Sequence, residues 1–214
     1  MNKLYVVGVT GPMGSGKSAV TKVFAENELK IIDTDQLSRR VVEPGSPCLK
    51  KLVEHYSDAV LNPDGTLNRR ELAKRAFATE ETAKLLNSIT HPFIIELTMS
   101  ILNQMEQSGE DVAVVEATLL FESGMDSICD KTVAVIAPFE TRIERVLKRD
   151  PHLDRNQAES RMSRQQPEEY YAKHADFVIN NNGDFSDLRL QAEKLAQNFR
   201  EWANEKKNSH NFLV

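Results

Sequence analysis

Apolar residues fall along this chain in two rhythms, short unbroken runs and stripes that recur every three or four positions. Leu4 to Val9 is an unbroken run of the kind a strand buried on both faces carries, and Val20, Val23 and Phe24 follow it at helical spacing. Leu29 to Ile32 is a second short run, ending in Asp33-Thr34-Asp35. Val112 to Ala117, Lys131 to Ala137 and Phe177 to Asn180 predict strands three, four and five. Between the last two, Phe139 to Arg149 predicts a helix with Phe139, Ile143, Val146 and Leu147 on its apolar face. Leu188, Ala192, Leu195, Phe199 and Trp202 predict a final helix packed on the sheet, with a polar, frayed tail from Asn204 onward. Alternating β and α units of this kind specify an α/β fold, a doubly wound five-stranded parallel sheet whose ligands sit beyond the carboxyl ends of its strands.

The pattern breaks once, between strands two and three, over an interval much longer than a simple crossover needs. It reads as helical throughout. Ser46-Pro47 is a cap followed by a proline suited to a first helical position, ahead of Leu49, Leu52, Val53 and Tyr56. Asn62-Pro63-Asp64-Gly65 reads as a turn, and Leu67, Leu72, Ala76 and Phe77 as one short stripe. Thr79 is placed to cap a helix carrying Leu85, Leu86 and Ile89, and Thr90-His91-Pro92 to precede a separate, longer one with Ile94, Leu97, Ile101, Leu102 and Met105. The expected layout is a core of residues 1–34, 109–149 and 174–214, a helical insertion of residues 35–108 leaving the carboxyl edge of the sheet, and a segment of residues 150–173. That last segment is dense in Arg, Gln and Glu with few aliphatics, and suits a mobile lid.

The turn after the first strand carries the chemistry. Gly11-Pro12-Met13-Gly14-Ser15-Gly16-Lys17-Ser18 is a complete G-x-x-x-x-G-K-S phosphate-binding loop, set between a strand and a helix. Successive backbone N–H groups have to face phosphate oxygens, which needs glycine freedom at Gly11, Gly14 and Gly16. Lys17 adds a cation for the β- and γ-phosphates, Ser18 a hydroxyl for Mg²⁺, and the helix its positive end. Phosphoryl transfer also needs a carboxylate at the attacking hydroxyl, and Asp33, leaving a strand end directly, is the candidate; a helix cap is the plainer role for Asp33 and Asp35 alike. Glu116 stands where an acidic group often backs Mg²⁺. Arg142, Arg145 and Arg149 share a helix face that could clamp polyphosphate or be a solvated stripe, and Arg155, Arg161 and Arg164 cluster in the proposed lid. Asn180-Asn181-Asn182-Gly183 forms a loop placed to meet an adenine edge, although Asn-Gly is a turn first and a ligand contact second.

Composition narrows the partners. A net charge of −5 on 214 residues gives no basic footprint for nucleic acid, and no run of 18 apolar residues or secretory leader is found. The protein is expected to be soluble and cytoplasmic, without nucleic-acid or membrane partners. Cys48 and Cys129 are isolated, so neither a disulfide framework nor a zinc site is implied. A regulatory GTPase lacks its N-K-x-D and D-x-x-G here, and a transporter ATPase its L-S-G-G-Q-like signature. Another nucleoside or nucleoside-monophosphate kinase and a non-catalytic nucleotide sensor remain compatible with the loop.

In combination and in order, the phosphate-binding loop, Ile32-Asp33-x-Asp35, Val42-Glu43-Pro44-Gly45, Asp64-Gly65 with Arg69, His91-Pro92, Leu119-Leu120-Phe121-Glu122, Arg149-Asp150, Gln165, and Ala175-Asp176 leading to Asn181-x-Gly183 resemble the dephospho-coenzyme A kinase family over residues 4–200. The resemblance implies a kinase of the nucleoside-monophosphate-kinase type that moves the γ-phosphoryl of Mg·ATP to the ribose 3′-hydroxyl of dephospho-coenzyme A, as a monomer or weak homo-oligomer. It implies Asp33 as base and Lys17 and Arg149 as catalytic cations. It further implies nucleotide contacts at Gly11, Pro12, Met13, Gly14, Ser15, Gly16, Lys17, Ser18, Val20, Arg145, Asn181 and Gly183, with Ser18 at the metal, and acceptor contacts at Asp35, Arg39, His91, Leu119, Leu120, Glu122 and Arg161. Thr118 stands where that family usually has Pro, and Glu116 where it often has Asp.

Overall fold

The computed structural model describes residues 3–211. In chain order the elements are β1 (Tyr5–Thr10), α1 (Lys17–Glu26), β2 (Lys30–Asp33), α2 (Thr34–Arg40), α3 (Pro47–Tyr56), α4 (Arg69–Ala76), α5 (Glu80–Gln107), β3 (Val112–Glu116), β4 (Lys131–Ile136), α6 (Phe139–Arg149), α7 (Arg155–Met162), α8 (Glu168–His174), β5 (Phe177–Asn180) and α9 (Phe185–Asn211). The chain divides into two compact units, Met1–Ile32 with Gln104–Val214, and Asp33–Asn103.

In the first unit the strands form one sheet in the order β2-β3-β1-β4-β5. β1 is central and wholly buried, and its pairings with β3 and β4, like that of β4 with β5, are parallel. The chain crosses from one side of β1 to the other between β3 and β4, so the carboxyl end of β1 opens at the point where the winding reverses, the place where such sheets leave a crevice. α1 and α9 cover the sheet with Val20, Val23, Phe24, Leu188, Ala192, Ala196 and Phe199. Phe24 and Phe199 meet edge to face at 5.7 Å between centroids, and Phe177 stacks on Trp202 at 5.4 Å.

The amino edge of the sheet is stitched by ion pairs. Asp130 accepts from the Val6 N–H at 2.8 Å and from Lys206, which also donates to the Leu4 carbonyl. Lys207 pairs with Asp111. These reaches overturn the frayed tail expected from Asn204: α9 stays helical to Asn211, because Ala203 is buried and two lysines on the next turn find carboxylates below the sheet. Asp176 holds β4 to the start of β5, accepting from Lys131 and from both the N–H and hydroxyl of Thr132 at 2.8–2.9 Å. Burial alone would raise the Asp176 pKa; these bonds outweigh it and hold the carboxyl below its ordinary value.

α6, α7 and the loop between them carry their own small core of Ile143, Val146, Leu153, Ala158 and Met162. The aliphatics of residues 150–173 are few, yet α7 of the expected mobile lid buries Ala158 and Met162 in this core. α7 begins with a full capping box between Asp154 and Gln157. Phe139, expected on the buried face of α6, is largely exposed and lies under the Arg142 guanidinium at 5.3 Å.

The second unit is helical around Val42, Cys48, Leu52, Tyr56, Val60, Leu72, Ala76 and Ile89. Ser46 caps α3 with Pro47 at the first helical position, and Thr79 accepts from the Thr82 N–H at the head of α5. Phe77 is 53% exposed, outside the stripe assigned to it. The break expected at His91-Pro92 is absent: α5 runs unbroken through Pro92. A proline forfeits one helical hydrogen bond, but Ile89 and Phe93, on either side of it, pack into the same core and hold the helix straight through. By length and apolarity alone α5 would suffice to cross a membrane.

Phe199→Ala should cost about 3–5 kcal/mol in denaturant unfolding, since a fully buried ring leaves a cavity against Phe24. Because ionised Asp176 is favoured in the folded state, its stabilisation is present above the ordinary carboxylate pKa and is lost as pH falls through the depressed folded-state value. Asp176→Asn should therefore flatten the fall in stability below about pH 4, read as midpoint against pH.

Candidate active site

The loop between β1 and α1 is built from the backbone outward. Gly14 and Gly16 sit at φ +79° and +101°, and neither tolerates a Cβ: at Gly14 it would lie 2.6 Å from the Arg142 carbonyl oxygen, at Gly16 2.2 Å from the Asn181 amide nitrogen. Both φ and space demand glycine here. The Ser15 N–H closes the turn onto the Pro12 carbonyl at 3.2 Å, and Lys17 folds back to donate to the Gly11 carbonyl at 2.7 Å.

Three successive carbonyls of this loop face outward onto side chains. Met13 O receives Arg142 Nη1 and Gly14 O receives Arg145 Nη1, both at a long 3.4 Å; Ser15 O receives Asn181 Nδ2 at 2.7 Å and Arg145 Nη1 at 3.4 Å. Arg145 also donates to the Asn181 carbonyl at 3.1 Å. A trans peptide places its N–H opposite its C=O, so holding the Met13 and Ser15 carbonyls on one side directs the Gly14 and Gly16 N–H groups to the other. Those N–H groups and the N-terminus of α1 make an anion-binding concavity. The guanidinium groups of Arg142 and Arg145 thus prop the loop. Arg142, only 5% exposed and paired with Glu168 at 3.2 Å, also bonds the Ala137 carbonyl.

Glu116 closes β3 beside α1. Thr21 donates to it at 2.7 Å, and the Ser18 hydroxyl lies 3.5 Å away, which places a hydroxyl and a carboxylate together at the head of the helix. Among the described residues no group of three His, Cys, Asp or Glu side chains is arranged as a metal cage, and Cys48 and Cys129 are free thiols. Burial pushes the Cys129 thiol up to about 12, so it stays protonated.

The remaining candidates are placed as follows. Arg149 ends α6 with a side chain 60% exposed, and its Nε and Nη2 both donate to Asp150, at 3.0 and 2.7 Å. That bond chiefly, with His152 and Arg161 nearby, depresses the Asp150 pKa. Arg161 and Arg164 are exposed, whereas Arg155 is taken by Glu140 and Glu159 at 2.7–2.9 Å. Leu120 is core, packed so tightly on β1 that a Cβ on Gly8 would touch it at 2.7 Å; Leu119 is half-buried. Glu122 reaches the surface, yet the protein around it removes enough water to raise its pKa. Val20 is buried in the core, Pro12 lies buried in the loop, and Gly183 precedes α9. In the second unit Asp33 caps α2: its Oδ1 accepts from the N–H groups of Asp35 and Gln36, its Oδ2 from the Gln36 side chain. Asp35 and Arg39 are exposed on α2, and burial lowers the pKa of the half-buried His91. The contacts not anticipated are Thr21 on Glu116, Gln165 on Met13 and Glu168 on Arg142; Gln165 had stood out only as a mark of the family resemblance, and Thr21 lies one helical turn beyond Ser18, where its position could have revealed it.

A sheet wound in this order with this loop at its reversal point defines a P-loop kinase fold. The model of the family described as dephospho-CoA kinase matches residues 5–187. A Corynebacterium efficiens protein named dephospho-CoA kinase is 42% identical over 189 residues, 88% of this chain and 94% of its own. The crystal structure of TT1252 from Thermus thermophilus superposes with a TM-score of 0.76 at 31% identity, over 91% of this chain and 97% of that one. Dephospho-CoA kinase from Campylobacter jejuni shares the fold, with a TM-score of 0.60 at 23% identity over 92% and 98%. The chain belongs to the dephospho-CoA kinase family.

Lys17→Ala removes the loop's cation and should lower phosphoryl-transfer turnover by roughly 10²-fold or more with an unchanged unfolding midpoint, measured by steady-state kinetics alongside thermal melts.

Proposed function

We propose that this protein transfers the γ-phosphoryl of ATP to the ribose 3′-hydroxyl of dephospho-coenzyme A, releasing coenzyme A and ADP, the last step of coenzyme A synthesis. The observation that carries the proposal is the loop whose carbonyls are held outward and whose N–H groups are thereby set for a phosphate chain, in a chain of this family. The Gly14 and Gly16 N–H groups and Lys17 bind and orient the phosphates. Ser18 and Glu116 present the hard oxygens that suit Mg²⁺, which as a rule takes few protein ligands and relies on substrate phosphates for the rest. When bound, that ion neutralises charge on the phosphates.

Asp33 is the proposed base. Its carboxylate is fixed by three hydrogen bonds, two on Oδ1 and one on Oδ2, and keeps a lone pair open on Oδ2, so the capping role and the catalytic role are compatible. It takes the proton of the attacking hydroxyl as the new P–O bond forms and the bond to ADP breaks. Arg149, oriented by Asp150, supplies a cation to the transferred group. Asp35, Arg39, His91, Leu119, Glu122 and Arg161 are assigned to the acceptor. Donor and acceptor are small molecules, and the enzyme is proposed to work in the cytoplasm as a monomer or weak homo-oligomer.

The test incubates the protein with ATP and either dephospho-coenzyme A or adenosine and maps the phosphorylated position. Dephospho-coenzyme A should be much the better acceptor and the 3′-position the one modified, because remote contacts orient the reacting hydroxyl. Asp33→Asn should lower turnover by about 10²- to 10⁴-fold while ATP affinity barely changes. Equal use of adenosine, or modification elsewhere, would leave another nucleoside-type kinase as the reading.

A further inference from the structure

Met13 lies inside the phosphate-binding loop, yet its N–H, carbonyl and side chain face α6 and the segment that follows it. Its N–H donates to Gln165 Oε1 at 2.7 Å, 152 residues away in sequence. Its carbonyl receives the buried Arg142, whose guanidinium is paired with Glu168 in the first turn of α8. Its side chain packs against the cluster of Ile143, Val146, Ala158 and Met162. Gln165 is itself anchored, its N–H donating to the Met162 carbonyl at the end of α7.

The geometry points to Gln165 as a positioning residue that sets the phosphate-binding loop through a single peptide. The Pro12–Met13 peptide is held at both ends, its N–H by Gln165 and its carbonyl by the Ser15 N–H at 3.2 Å. The next peptide is held by Arg142 at its carbonyl, so two consecutive peptide planes are fixed before any phosphate arrives. Of these holds the Gln165 bond is the shortest, and it comes from outside the β1–α1 unit. A loop preset in this way binds an anion without reorganising, and losing the preset should appear as weaker nucleotide binding rather than a slower chemical step. It also makes the seat of the α7–α8 segment and the shape of the loop one linked variable.

This inference deepens the kinase proposal, but its binding and exchange arms do not depend on the acceptor. Gln165→Met keeps length and removes the acceptor; Gln165→Glu keeps an acceptor oxygen at the same reach. Backbone amide exchange at Met13, followed by NMR in the full chain, should quicken in Gln165→Met and return to the wild-type rate in Gln165→Glu. ATP dissociation constant and KM should rise about fivefold to tenfold in Gln165→Met with kcat changed far less, the loss expected for one good hydrogen bond. Unchanged Met13 exchange in Gln165→Met, failure of Gln165→Glu to restore it, or faster exchange with unaltered ATP affinity would each overturn the inference. A wild-type protein that binds ATP but makes no phosphorylated product would sink the kinase proposal, while the exchange and binding results would still decide the role of Gln165.

Discussion

The orientation of a few peptide planes between β1 and α1 is the constraint on which the sheet unit turns. A phosphate site made of backbone N–H groups works only if the matching carbonyls are satisfied elsewhere, because a buried carbonyl without a partner is costly. This protein meets that demand with Arg142, Arg145 and Asn181, which arrive from α6 and from the end of β5. The strand order brings those elements there: β4 lies beside β1 and β5 beside β4, so the loops that leave their carboxyl ends run past the back of the phosphate-binding loop.

The two edges of the sheet divide the work. At the amino edge the loops are tied by Asp130 with Lys206, Asp111 with Lys207, and Asp176 with Lys131 and Thr132, in contacts that lock strand ends and the last helix. At the carboxyl edge the contacts converge on the loop and its helix: Lys17 folds onto the Gly11 carbonyl and Glu116 rests on Thr21. Between them lies the core of valines and the Phe24–Phe199 pair, rigid enough that a group on α6 can fix the position of a backbone atom on the loop.

Much of this was legible in the residues. Runs of valine and isoleucine marked all five strands within a residue or so, and the glycines marked the tight loop that joins β1 to α1, since these demands are local and few other residues meet them. Local signals misled where packing at a distance outweighed them. Pro92 signalled a break that Ile89 and Phe93 bridge, and the polar tail after Asn204 signalled fraying that Lys206 and Lys207 prevent. Arg142 and Arg145 had the spacing of a polyphosphate clamp or of a solvated stripe, and they serve as props of the loop backbone.

The sequence by itself determined the order of elements, the kind of sheet and the identity of the phosphate-binding loop, because hydrophobic period and glycine placement act within a few residues of one another. Only the tertiary structure decided what holds that loop. The link from Met13 to Gln165 joins residues far apart in the chain through a backbone N–H, and a backbone N–H is carried by every residue but proline, so no side-chain pattern could announce which one the fold would choose.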